Sequence, residues 1–248
     1  MTVSSLTKQT CAGIGVLTDV EARPGGVLVA FTDRHGGVSR PPYDSLNLGL
    51  RGGDDRLLVS ENRRRAGRVI GFAPAALTLA RQVHGAEIIE VSPGRSGVVG
   101  AADGLVTTLV GPVLGILTAD CAAVIVAGER GLGILHAGWR GLVTGVIERG
   151  VDAVGPIRQA WIGPCIRACC YEVGPEVAAA FDKASLPVAP GMRVDISGAA
   201  VTALKRAGVS DIAVSDDCTG CSSSYFSHRR DGRTGRQGAF AALVEPSR

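Results

Sequence analysis

Apolar residues recur along the chain in two rhythms, and each rhythm predicts a different element. Short apolar runs at 27–31, 77–83, 87–91, 103–110, 113–117, 122–127, 132–135, 160–162, 212–214 and 239–244 are bounded by Gly, Pro, Asp and Ser and read as strands. Several of them, such as Leu114 to Leu117 and Leu132 to Leu135, carry no polar alternation and so predict strands covered on both faces. Segments 55–70, 142–154, 175–183 and 195–207 place their apolar residues at helical spacing instead. Leu58, Asn62, Arg65 and Val69 mark the course of the first, with Gly71 as its stop, and Ile196, Ala200, Leu204 and Ala207 share one face of the last. The stretches 32–39, 41–49 and 218–238 are too rich in turn formers for either element. No repeat and no linker interrupts this alternation, which predicts one α/β domain over residues 1–248 with a variable N-terminal segment at 1–26.

Composition narrows the picture. Hydrophobic residues make up 46% of the chain and charged residues 20%, as in an ordinary packed domain. Only 4% are aromatic, so the core is expected to be aliphatic, and 35 glycines predict many tight turns. A net charge of +3 is too small for a nucleic-acid-binding surface, though it leaves room for a local anion site. Residues 1–10 lack the apolar core of a signal peptide, and no apolar stretch is long enough to span a bilayer, so the expected location is the cytoplasm and no membrane partner is expected. Seven cysteines without a leader then point to free thiols or metal ligands and away from disulfides.

The chemistry concentrates at the ends of apolar runs. Cys121 follows Thr118-Ala119-Asp120, His136 precedes Ala137-Gly138-Trp139-Arg140, and His84 sits at a bend between two predicted strands. A lone histidine is usually structural, but two imidazoles and a thiolate fit a zinc site with three protein ligands, His84, Cys121 and His136, whose fourth position is open to water or substrate. Zinc in such a site lowers the pKa of water to about 7. Asp120 is then the candidate for moving protons, with a turn or cap as its bland alternative. The same residues admit a thiolate–imidazolium hydrolase in which Cys121 is the nucleophile and His136 its base. A third reading is copper, which ranks behind zinc: the methionines are only Met1 and Met192, and four histidines are too few for a multinuclear cluster.

Arg229, Arg230 and Arg236 in the 227–236 loop could clamp a phosphate bidentately, and Arg140 could join them through its nearness to His136. Residues 137–141 lie just before the predicted 142–154 helix, where N–H groups favour an anion. Cys218-Thr219-Gly220-Cys221 is a C-x-x-C that could pair with Cys165, Cys169 and Cys170 in a zinc knuckle, but the second half lacks that spacing, so small buried thiols are the preferred reading.

The motifs Gly36-Gly37-Val38-Ser39, Tyr43-Asp44-Ser45-Leu46-Asn47-Leu48-Gly49, Asn62-Arg63, Gln82-Val83-His84-Gly85, Thr118-Ala119-Asp120-Cys121, His136-Ala137-Gly138-Trp139-Arg140-Gly141, Tyr171-Glu172-Val173-Gly174 and Phe226-Ser227-His228-Arg229-Arg230-Asp231 resemble the YfiH family. Its members have been labelled polyphenol oxidase or laccase-domain proteins. The resemblance implies a layered α/β sandwich with a mixed sheet, grouped with cysteine-hydrolase-like deamidases, and zinc on His84, Cys121 and His136. It further implies phosphorolysis of purine nucleosides (adenosine, inosine, methylthioadenosine) with adenosine deamination as a companion reaction, the partners being a purine nucleoside and inorganic phosphate and the assembly a monomer or homodimer. His228 departs from the family's Tyr and could carry a proton, and Cys169, Cys170 and Cys221 are additions to the family pattern. A non-enzymatic zinc-stabilised interaction module is the remaining alternative, which a fourth protein ligand would favour.

Overall fold

The computed structural model describes residues 5–246. Residues 1–4 of the expected variable segment, and 247–248 of the expected domain, lie outside the described residues. The strands are β1 (Thr7–Cys11), β2 (Ile14–Thr18), β3 (Val27–Thr32), β4 (Leu77–Arg81), β5 (Ile88–Glu90), β6 (Gly97–Ala101), β7 (Gly104–Thr107), β8 (Val113–Thr118), β9 (Ala122–Gly128), β10 (Leu132–Ala137), β11 (Ile157–Ile162), β12 (Ile212–Val214) and β13 (Gln237–Leu243). The helices are α1 (Arg56–Ile70), α2 (Trp139–Val143), α3 (Val146–Val154), α4 (Pro175–Lys183), α5 (Ile196–Arg206) and α6 (His228–Asp231).

The expected mixed sheet is two mixed sheets. One has seven strands in the order β1-β2-β3-β13-β8-β4-β6, the other six in the order β12-β11-β9-β10-β7-β5. In the first, β4 runs parallel to β8 and β6, and the other pairs are antiparallel. In the second, β9 and β10 form an antiparallel centre, with parallel partners at both edges.

Side-chain alternation on doubly covered strands builds the layers. On β9, Ala123, Ile125 and Ala127 point into the space between the sheets, where they meet Val29, Phe31, Leu114, Ile116 and Trp161. The alternate β9 residues Ala122, Val124 and Val126 pack on the other side against Leu142 and Ile147, Phe181 of α4, and Ala199 and Leu204 of α5. The outer face of the first sheet, with Leu28, Ala30 and Phe240, is covered by Ala66 and Ile70 of α1. β9 is therefore apolar at every position, which is why its run shows no alternation.

The first predicted helix falls where the pattern put it. Asp55 accepts the Leu57 N–H at 2.7 Å as N-cap, and Gly71 ends the helix at φ 94°. The predicted 142–154 helix is corrected: it starts at Trp139 and breaks in two at Gly145, which holds the left-handed φ of 85°. Two strands in the expected variable segment, β1 and β2, and the loop strand β6 were not anticipated. β1 is exposed at all five positions and gains its order from the backbone ladder to β2, so its side chains leave no apolar signature.

Asn62, on the buried face of α1, fixes the 38–47 segment. Its Nδ2 donates to Ser39 Oγ at 2.8 Å, Ser45 O at 3.1 Å and Asn47 O at 2.8 Å, and its Oδ1 accepts from Val38 N at 2.8 Å. Asn62→Asp keeps the shape but turns a donor into an oxygen facing carbonyls. The expected cost is on the order of 3 kcal/mol, read as a lower denaturant midpoint at unchanged slope.

Candidate metal centre and cavity

The site lies where both sheets end on the same side. β8 leaves the first sheet through Thr118-Ala119-Asp120-Cys121 and continues as β9 in the second, so Cys121 sits at the crossing between them. His136 is the last residue but one of β10, opposite Ala123 of β9. His84 follows β4, on a bend whose geometry depends on two side chains. Gln82 behaves as a strand residue turned sideways: its Oε1 accepts from Leu117 N at 3.1 Å and its Nε2 donates to Leu117 O at 2.9 Å. Asp103 receives the bend itself, accepting N–H bonds from His84 at 2.9 Å and Gly85 at 2.7 Å, with Val83 at 3.2 Å. His84 adopts φ 61°, a conformation rarely open to a side chain, and these bonds hold it there.

The same carboxylate pairs with His136 Nδ1 at 2.8 Å. That bond occupies Nδ1 and leaves Nε2 for the site. Asp103 is fully buried and His136 nearly so. Burial works against the Asp103 charge, but the His136 ring and the Gly85 and Val83 N–H groups override it and hold the carboxyl below its ordinary value.

One ligand atom from each of His84, Cys121 and His136 lies within 4.8 Å of the other two. The His84 and His136 rings meet edge to face at 4.9 Å. Exposure falls across the trio from His84, on the surface, through half-buried Cys121 to buried His136. Burial alone would push the Cys121 thiol up, yet the His136 charge and hydrogen bonds from both imidazoles bring it down to about 6. Burial would lower His136, and the Cys121 thiolate and Asp103 raise it to about 9. Each group thus favours the charged form of the other. Gly138 completes the fit: a Cβ there would stand 2.9 Å from Cys121 Sγ and 3.3 Å from His84 Cδ2. A soft thiolate, two imidazoles and a wall kept free of side chain suit a zinc-type ion with an open position.

These residues line a cavity of about 600 Å³, inside the range of small-molecule sites. Of the four arginines expected to bind anions, Arg140, Arg229 and Arg236 reach it. Arg140 stacks on Trp139 at 4.3 Å, and Arg229 on Tyr171 at 4.9 Å. Arg230 is corrected: its guanidinium turns away to the carbonyls of Thr219, Ser222 and Tyr225, each at 2.8 Å, and to Asp231, so it staples the loop. Asp120 stands in the lining at φ 102°, its Oδ1 accepting from Thr219 Oγ1 and its Oδ2 from Arg229 N, both at 2.7 Å. His228 also lines the cavity and bonds Gly232 O through Nδ1 at 2.6 Å.

Two site residues escaped the sequence reading. Asp103 stood at the head of a predicted strand, and its only signal was an acid between small residues before an apolar run. Arg63 appeared only inside a motif. Its Nε donates to Leu48 O at 2.9 Å, which turns the side chain into the cavity, and burial lowers its pKa as it does that of Arg236. Among the described residues neither guanidinium is paired with a carboxylate. Two partly desolvated, unpaired cations beside a soft metal site favour a multiply charged oxyanion.

Residues 28–244 match the family model described as multi-copper polyphenol oxidoreductase laccase. A protein named purine nucleoside phosphorylase ORF3 from Streptomyces griseus is 39% identical over 238 residues, covering 88% of this chain and 95% of that one. Purine nucleoside phosphorylase YfiH of Escherichia coli K12 is 36% identical over 235 residues, covering 90% and 96%. Among solved structures, YlmD from Geobacillus stearothermophilus superposes with a TM-score of 0.88 at 33% identity over 98% of this chain and all of that one. The Bacillus licheniformis hypothetical protein YfiH gives 0.86 at 30% identity over 95% and 98%.

Asp103 fixes the His136 ring, so if the trio takes up added zinc, Asp103→Asn is expected to weaken that uptake about 10–100-fold. Competition against a chromophoric chelator measures this, and circular dichroism reports whether the fold persists.

Proposed function

The chain belongs to the YfiH family, described as multi-copper polyphenol oxidoreductase laccase, and on that premise we propose that it is a zinc-dependent purine nucleoside phosphorylase with a companion adenosine deaminase activity. The observation that carries the reading is the meeting, in one cavity, of the His84–Cys121–His136 donor trio with the unpaired guanidiniums of Arg63 and Arg236. Zinc held by the trio would supply Lewis acidity and acidify water near neutral pH.

The chain's own residues divide the remaining work. Arg63 and Arg236 hold inorganic phosphate, each kept in line by backbone carbonyls: Leu48 for Arg63, Thr234 and Gly235 for Arg236. Trp139 and Tyr171 offer aromatic faces for the purine, with Arg140 and Arg229 stacked behind them. Phosphate attack at C1′ forms the new C–O bond as the bond to the base nitrogen breaks, and the leaving purine takes a proton. Asp120 is the group placed to relay it, taking the proton from the attacking dihydrogen phosphate and passing it to the purine, and its bonds to Thr219 and Arg229 fix the carboxylate's direction. In deamination, water adds at C6 and ammonia leaves, again with a proton moved at the ring. His228 is a second carrier at the same rim.

A cysteine-hydrolase reading keeps one specific support, since Cys121, His136 and Asp103 form a nucleophile, base and orienting carboxylate in series. It predicts a covalent intermediate on Cys121 and turnover that survives zinc removal. For multinuclear copper the histidines do not suffice: the chain has four, and two of them belong to the trio. The trio holds three protein donors among the described residues, which supports an open position over a closed structural site here. No helix among the described residues is long and apolar enough to cross a membrane.

The test is incubation of purified, metal-assayed protein with adenosine, with and without phosphate. Adenine and ribose 1-phosphate formed only with phosphate, and inosine without it, are the expected products, and neither forming defeats the proposal. Arg63→Ala and Arg236→Ala are each expected to raise the KM for phosphate about ten- to a hundredfold while sparing deamination, since a charge-assisted hydrogen bond contributes about 1.5–3 kcal/mol.

A further inference from the structure

The second concentration of reactive side chains lies outside the cavity, where Cys169, Cys170, Cys218 and Cys221 bring their sulfurs within 4.8 Å of one another. Two loops deliver them. The loop after β11 turns tightly as Cys170 N and Tyr171 N both bond Arg167 O, at 2.9 and 3.0 Å, so neighbouring Cys169 and Cys170 serve one point. The loop after β12 makes a C-x-x-C turn closed by Ser222 N to Cys218 O at 2.9 Å. β11 and β12 are parallel neighbours, and an isolated backbone β-bridge pairing residues 165 and 218, with Thr219 N to Cys165 O at 3.1 Å, carries that pairing into the loops while both thiols stay free. Cys165 itself is buried and outside the cluster. The preference for small buried thiols thus holds for Cys218 but not for its neighbours: Cys169 and Cys221 are exposed and Cys170 is half-buried, because the segment is a surface loop over an open depression.

The geometry points to a second metal site, in which these four cysteines hold one zinc ion as a closed tetrahedron of thiolates. Zn–S bonds of about 2.3 Å set tetrahedral sulfurs about 3.8 Å apart, and all four protein ligands leave no open position, so the site is structural. The four sulfurs lie within 4.8 Å of one another, which brackets that spacing, and the two shortest pairs fall about half an ångström inside it. Cys221 Sγ stands 3.3 Å from Cys169 Sγ and 3.2 Å from Cys170 Sγ. A disulfide needs about 2.05 Å and a single partner, whereas Cys221 lies equally near two. A larger iron–sulfur cluster needs its thiolates spread around several metal atoms, and these are too close together.

Two further features belong to a thiolate knuckle. The backbone N–H groups of Arg167, Gly220 and Cys221 are directed at Cys218 Sγ, the kind of outer support that orients metal-bound sulfur. Gly220 keeps the centre clear, since a Cβ there would come 2.7 Å from Cys170 Cβ and 3.0 Å from its sulfur. Four thiolates and a divalent ion leave a net charge of −2, and Arg167 and Arg230 stand beside the loop, each also paired with a carboxylate, Asp195 and Asp231. Binding releases the thiol protons to solvent and involves no change of oxidation state.

The ion would lock the segment that reaches the cavity. Thr219, between the two C-x-x-C cysteines, donates to Asp120, and Arg230 ties Thr219 and Ser222 to α6, which presents His228 and Arg229. The two ions are therefore separate in ligands and joined in consequence.

Zinc counting tests this whatever the substrate proves to be. Protein purified under reducing conditions is expected to hold two zinc ions per chain by elemental analysis, falling to one in Cys221→Ser and to one, at the other site, in His84→Ala. Stripped wild-type protein titrated with cobalt(II) should take up two equivalents and develop strong thiolate-to-cobalt absorption that His84→Ala keeps and the Cys218→Ser/Cys221→Ser double variant largely loses. One zinc per chain, unchanged in Cys221→Ser, overturns the proposal. A Cys221 disulfide to Cys169 or Cys170 in peptide maps of the native protein does so too. If Cys221→Ser fails to fold, cobalt titration of His84→Ala decides: one equivalent with strong thiolate-to-cobalt absorption supports the proposal, and no uptake overturns it.

Discussion

The Asp103 carboxylate is the constraint on which the site depends. It is an ionised group with no exposure to solvent, and such a charge is tolerated only where its partners are complete. Here they come from two places: the 83–85 bend that follows β4 of the first sheet, and His136 on β10 of the second. One side chain therefore sets the conformation of His84, the tautomer of His136 and the distance between the two sheet ends. Cys121, at the crossing from β8 to β9, is carried to the same point by the backbone itself. The trio is preorganised because each member hangs from a strand end and not from a free loop.

Charge in the cavity is arranged in layers around that anion. Cys121 and Asp120 line the cavity together with the two imidazoles, and Asp103 lies buried behind His136. Guanidiniums surround them: Arg140 and Arg229 on aromatic rings, Arg63 and Arg236 half-withdrawn from water and held by carbonyls. A cation in that state gains most from an arriving oxyanion, because its own hydration is already reduced. Arg230 shows the other use of the same side chain. By bonding three loop carbonyls it makes the 219–230 segment rigid enough to present its neighbours.

Asp120 joins the two halves of the molecule's chemistry. It neighbours the thiolate of the trio and accepts from Thr219, which lies within the C-x-x-C turn of the cysteine cluster. Order imposed on the cluster reaches the cavity through this bond and through Arg229 N to Asp120. Gly138 and Gly220 play matching parts at the two centres, each withholding a side chain where sulfur must come close.

Much of this was written locally in the sequence. The caps of α1 at Asp55 and Gly71, the apolar runs of β8, β9 and β10, and the three donors at run ends follow from period, turn chemistry and residue type, which act within a few residues. Other features depend on partners far apart in the chain. Asp103 meets residues 18 to 33 positions away, Asn62 reaches back 15 to 24, and Cys221 meets cysteines 51 and 52 positions earlier. Such bonds leave no periodic mark, so neither the anchor of the metal centre, nor the cysteine cluster, nor the division of the strands into two sheets could be read before the chain was folded. The sequence by itself determined which residues are able to bind metal; tertiary structure alone decided which of them meet, because ligand geometry depends on spatial distance and not on spacing along the chain.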